Sequence, residues 1–158
     1  IQNRDLDPPL GYFLAMSRTK FQMSNDSEGA GLWKMNNDLV LNSGYNGACG
    51  TETIAEPSQK CAAIASSTYA KDIIRDVFDG DIIYGIAAFG MSKNEAEAWR
   101  DSLPPAEQRK DFWNVIKSNE QKELVVRFFA AATVAENPQK FGLENDKPLS
   151  QFYKVYMK

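Results

Sequence analysis

Histidine is absent from all 158 residues. Its absence excludes Ser-His-Asp and Cys-His nucleophile activation, histidine-bound zinc and an imidazole proton switch near neutral pH. Chemistry in this chain would have to run on carboxylate, lysine or tyrosine side chains. Cysteine is scarce. The two present, Cys49 and Cys61, cannot complete a four-thiolate zinc site, and they lie twelve positions apart rather than in a redox C-x-x-C. Two readings of them stay open: one disulfide, worth about 3 kcal/mol for a loop of that length, or a small buried Cys61 unrelated to Cys49. No metal or cofactor is expected. No apolar run approaches the roughly 18 residues that a membrane span requires, so no transmembrane segment is expected either. Runs of basic residues are also missing, and 18 basic residues against 21 acidic ones leave a net charge of -3. Nucleic acid is therefore not an expected partner.

What is present is ordinary for a packed protein, 43% hydrophobic and 25% charged. A chain of this length buries roughly 70% of its unfolded surface and needs no staple to fold. It opens with Ile1 rather than Met, and the expectation is a single domain over residues 1–158, excised from a longer chain.

Helical periodicity dominates. Leu10, Phe13, Leu14 and Ser17 share one face of a helix that begins at a proline and ends near Arg18. Residues 22–56 are rich in Asn, Ser, Gly and Asp and read as a long irregular region, of the kind that forms the wall of a functional cleft. From Pro57, Cys61, Ala65, Tyr69, Ile73 and Val77 recur every four residues until Asp79-Gly80 stops the helix. Residues 81–90 are apolar on nearly every side, as in a helix inside a bundle, with a strand as the competing reading. Ser92 and Glu95 form a capping box for a helix from Lys93 to about Arg100, which Leu103-Pro104-Pro105 interrupts. A short amphipathic helix is expected over residues 106–117. A longer one begins near Ser118, carries Leu124, Val125, Phe128, Phe129, Ala132 and Ala135, and ends at Asn137-Pro138. The tail from Lys140 has little periodicity. The expected class is all-α.

Five of these segments, in order, resemble the soluble lytic transglycosylase domain, a lysozyme-like family that cleaves the sugar chains of peptidoglycan. That family opens with a helix ending in E-S-x-F and then a G-A-x-G-L-W/M-Q segment. Here Arg18-Thr19-Lys20-Phe21 and Gly29-Ala30-Gly31-Leu32-Trp33-Lys34 stand in those places, a residue or two closer together. Glu56-Pro57-Ser58-Gln59-Lys60-Cys61-Ala62-Ala63 matches the acidic residue, proline and paired alanines that announce the family's next helix. Gly85-Ile86-Ala87-Ala88-Phe89-Gly90-Met91-Ser92 is similar to A-x-A-x-Y-N-A-G. The stretch from Val126 to Leu143 is similar to the terminal helix and its N-P-x-x-Y/F-G-L ending. The resemblance covers about residues 9–152 and implies a lysozyme-like helical fold.

The departures bear on chemistry. In the family, the glutamate of E-S-x-F protonates the glycosidic oxygen and then helps the C6 hydroxyl close an anhydro ring, which requires a carboxylic acid kept neutral by burial. Arg18 occupies that position. A guanidinium stays charged, has no proton to give and cannot act as a base. It also opposes the positive charge that develops on the sugar, with a repulsion of about 3 kcal/mol at about 5 Å and an effective dielectric of 20. Lys34 replaces a glutamine and Gly90 an asparagine, both of which hold glycan in the family. Arg18 also has a plainer reading as a surface arginine at a helix C-terminus.

A displaced acid is the alternative, with Glu28 first in line and Asp26 beside it, although Asp-Ser-Glu before a turn also reads as a solvated loop. Trp33, Tyr45 and Phe89 are candidates to stack on sugar faces or else belong to the core. Trp99 and Trp113 are expected to pack, and Glu107, Asp111, Glu120 and Glu123 to sit on solvated faces. The leading expectation is a degenerate, non-catalytic glycan-binding or protein-interaction module, with Arg18, Trp33, Lys34, Tyr45, Phe89 and Gly90 as its candidate binding residues. Arg18 and Lys34 are expected to make the groove positive, suiting an anionic peptidoglycan strand or an acidic protein partner. The alternatives are an active transglycosylase working through Glu28 and a regulatory interaction domain with no affinity for glycan. The family's substrate implies a cell-envelope, periplasmic or extracellular location, to which a Cys49–Cys61 bridge would lend support.

Overall fold

The computed structural model describes residues 6–156 and is mostly helical. Helix α1 (Pro8–Thr19) begins on paired prolines, whose fixed φ suits a first turn, and buries Leu10, Leu14 and Ala15. It ends where Lys20 turns left-handed and its N–H bonds back to the Met16 carbonyl. The following region is largely turns, as its composition predicts. It contains a minimal antiparallel hairpin of β1 (Asn25–Asp26) and β2 (Gly29–Ala30), then α2 (Asn37–Asn42), capped by the Asn36 side chain. The region is irregular but packed: Met35, Val40, Tyr45, Cys49 and Ile54 are buried, and Cys49 is disulfide-bonded to Cys61.

Helix α3 (Lys60–Ala70) runs directly into a π-helical segment, Lys71–Val77. The four-residue stripe of Cys61, Ala65, Tyr69, Ile73 and Val77 is inside throughout, each residue 1% exposed or less. Asp79 and Gly80, both at positive φ, end the element. Residues 81–90 then resolve as helix rather than strand. In α4 (Ile82–Ala87) the Asp81 carboxylate accepts from the backbone N–H groups of Ile83 and Tyr84. This helix can seat closely on the π-helical segment because Gly85 has no side chain: a Cβ there would stand 2.5 Å from Ile74 Cγ1. Helix α5 (Lys93–Ser102) opens with the full Ser92–Glu95 capping box.

The amphipathic helix expected over 106–117 does not form as one piece. A 3₁₀ turn, Ala106–Gln108, is separated from α6 (Phe112–Val115). Tertiary bonds explain the break. In a continuous helix the Arg109 carbonyl would accept from the residue 113 N–H, but here it accepts from the Tyr84 hydroxyl at 2.9 Å. The Arg109 side chain is tied to the Pro104 and Arg100 carbonyls. Helix α7 (Asn119–Glu136), capped by Ser118, packs against α1 and α4 through Val125, Phe128 and Ala131. Phe129, expected inside, is 44% exposed. The tail holds a further helix that periodicity did not reveal, α8 (Leu149–Tyr156), fastened by Glu136, whose carboxylate accepts from the Ser150 N–H and hydroxyl. Trp99 is packed beside Phe78 and Tyr84 as expected, whereas Trp113 is 49% exposed and rests on Phe112. Among the described residues no helix is long and apolar enough to cross a membrane.

Candidate functional site

The end of α1 is fastened to the turn at residues 31–34 by consecutive hydrogen bonds. The Thr19 hydroxyl donates to the Leu32 carbonyl at 2.7 Å, Arg18 Nε to Trp33 at 2.7 Å and Arg18 Nη2 to Lys34 at 3.1 Å. From the other side, Gln59 accepts from the Leu32 N–H through Oε1 and donates to Glu56 through Nε2. Residues 20, 21 and 34 have left-handed φ values without being glycine, a local strain that this bonding holds in place.

In front of this junction lies a groove of about 470 Å³. Its walls come from Arg18 on α1, Glu28 on the hairpin, Lys34 on the turn, Asn36 to Ser43 around α2, and Gly90, Ser92 and Glu95 at the start of α5. Four sequence candidates, Arg18, Glu28, Lys34 and Gly90, are thus brought together. The polar residues Asn36, Asn42, Ser43 and Glu95 were not singled out as groove residues. Ser92 and Glu95 were legible only as a helix cap, and the α2 residues carried no motif.

The aromatic candidates are placed elsewhere. Tyr45 and Phe89 are buried at 4% and 8% exposure, so neither offers a face to a sugar. Phe89 instead lies under the Arg18 guanidinium, 4.9 Å from its ring centre, and packs edge-on against Tyr69, which in turn meets Tyr45. The Trp33 carbonyl faces Arg18, but its indole donates to the Gly11 carbonyl and lines a small apolar cavity between α1 and α3. Tyr69, seen in the sequence only as a core position, is fully buried and tied to the groove wall at Gly90: its hydroxyl accepts from the Gly90 N–H at 2.7 Å and bonds to the Met91 carbonyl at 2.8 Å. Burial raises the Tyr69 phenol well above its ordinary value and pushes Tyr45, beside Asp72, up to about 12. Gly90 has φ +106, a conformation in which an asparagine side chain would be strained.

Electrostatically, the groove departs from expectation. Lys34 is not a free cation: its Nζ lies 2.5 Å from Glu28 Oε2 and 3.3 Å from Asp26 Oδ2. Its pKa is raised chiefly by the Glu28 hydrogen bond, and that of Asp26 is lowered chiefly by the Glu28 backbone N–H. Glu95 is also held below the usual carboxylate range, first by the Ser92 backbone N–H. Arg18 and Lys34 therefore face Glu28 and Glu95, and the lining charges cancel. The expected positive groove is instead a polar one of balanced charge. Burial lowers Arg18 from its ordinary value, opposed by Tyr69 and Glu28, yet a guanidinium remains charged near neutral pH. Among the described residues it makes no ion pair.

Neither groove carboxylate has the surroundings of a general acid. Glu28 is 76% exposed at its side chain and lies against a lysine, the opposite of the apolar burial that keeps a carboxylic acid protonated. Glu95 is committed to its helix cap. Among the described residues no group of three or more Cys, Asp or Glu side chains could hold a metal ion. Comparison with protein-family models, curated proteins and solved structures finds no match for this chain.

Proposed function

We propose that this chain is a non-catalytic, glycan-binding domain related to the soluble lytic transglycosylases, with a groove that receives a peptidoglycan-type sugar strand at the cell envelope. The observation that carries this reading is Arg18. The residue aligned with the family's acid lines the groove, and no carboxylate there stands in apolar surroundings in its place. A groove walled by amide and hydroxyl side chains as well as charged ones suits a hydroxyl-rich ligand. The transglycosylase alternative would have to place its general acid on Glu28, an exposed side chain bonded to Lys34. An interaction domain without glycan affinity is the second reading, favoured by the burial of Tyr45 and Phe89, which leaves no aromatic platform in the groove.

Purified sacculi distinguish these readings. The native chain is expected to co-sediment with sacculi and to release no anhydromuropeptides, and Glu28→Gln to behave in the same way. Turnover by the native chain that Glu28→Gln abolishes would establish the enzyme. Neither sedimentation nor turnover would establish the interaction domain.

A further inference from the structure

Arg18 is a partly buried cation with an incomplete set of partners. Its five N–H groups form a rigid fork; Nε–H goes to Trp33, one Nη2–H goes to Lys34, and one face of the guanidinium rests on Phe89. The Nη1 edge has no hydrogen-bonding partner among the described residues. Glu28 lies within electrostatic reach of it but is held on Lys34. Because no buried side-chain nitrogen among the described residues lacks a partner, this edge keeps contact with solvent at the groove and stays open to an anionic group.

We infer that the Arg18 end of the groove is a subsite for a single carboxylate carried by the glycan. This inference rests on the glycan-binding reading above and names the group that selects among glycans. One planar guanidinium edge matches one planar carboxylate. A doubly charged phosphate fits less well, because Glu28 and Glu95 share the groove and Lys34 is already engaged by two carboxylates. Lys34 contributes no selectivity, since two carboxylates already hold it.

The test uses peptide-free glycan strands with their lactyl carboxylates intact and the same strands with those groups converted to methylamides. Affinity for the native chain is measured by calorimetry. The free-acid strands are expected to bind roughly tenfold more tightly, the worth of one charge-assisted contact. Arg18→Gln is expected to erase the preference, and Arg18→Lys to keep part of it. The double variant Lys110→Gln, Lys140→Gln, which removes two exposed cations outside the groove lining, is expected to keep it in full. Equal affinity of the native chain for both strands would overturn the carboxylate subsite while leaving the glycan reading intact. Loss of the preference in the double variant but not in Arg18→Gln would do the same. No binding of either strand would overturn both. The amidation comparison needs no variant, so a folding defect at position 18 does not blunt it.

Discussion

At position 18 one side chain serves two purposes that the sequence could not separate. The plainer reading of Arg18, a cation at a helix C-terminus, describes its place in the last turn of α1. Yet the guanidinium also bridges to the turn at residues 31–34 and borders the groove. A glutamate at this position would be shorter and would set an acceptor against carbonyls that now receive donors. Arg18→Glu is therefore expected to lower stability by about 1–3 kcal/mol, read as a shift of the urea midpoint at unchanged slope. A variant as stable as the native chain would show that the bonds to Trp33 and Lys34 add nothing. Lys34 teaches the reverse lesson. The residue type reads as a positive charge in the sequence, whereas the fold brings Asp26 and Glu28 to it across a two-residue hairpin. Such short strands leave no periodic trace, so the neutralisation had no visible signal.

Among the elements, those built on long repeats were legible and those decided by single tertiary bonds were not. The stripe from Cys61 to Val77 and the stretch from Ser118 to Asn137 each specify one face over several turns; the structure buries the first throughout and the second at Val125, Phe128 and Ala131. The break near Arg109 depends on one bond from Tyr84, and α8 on a carboxylate thirteen residues before it, neither of which is local information. The irregular wall from α2 to Cys49 is held in a similar way. It has little regular hydrogen bonding, and its covalent tie to α3 limits how far it can move when unfolded. Replacing Cys49 and Cys61 by alanine together is expected to cost about 3 kcal/mol. It should also speed amide exchange from Asn36 to Cys49 relative to α7. Uniform exchange across the two regions in the double variant would show that packing alone holds the wall.

For the molecule as a whole, the helical class was readable from composition and period. The aromatic candidates stayed open between core and sugar-stacking roles in the sequence, because a ring at a helix end is equally compatible with core and surface. Phe89 and Tyr45 went inward to support Arg18 and Tyr69, and Trp113 went outward. The placing of the three indoles also governs how occupancy of the groove can be observed. Trp33 turns its ring away from the groove toward Gly11, and Trp99 and Trp113 belong to α5 and α6 without lining it. Intrinsic fluorescence should therefore stay nearly flat while a ligand loads, whereas the amide resonance of Gly90, on the groove wall itself, should move.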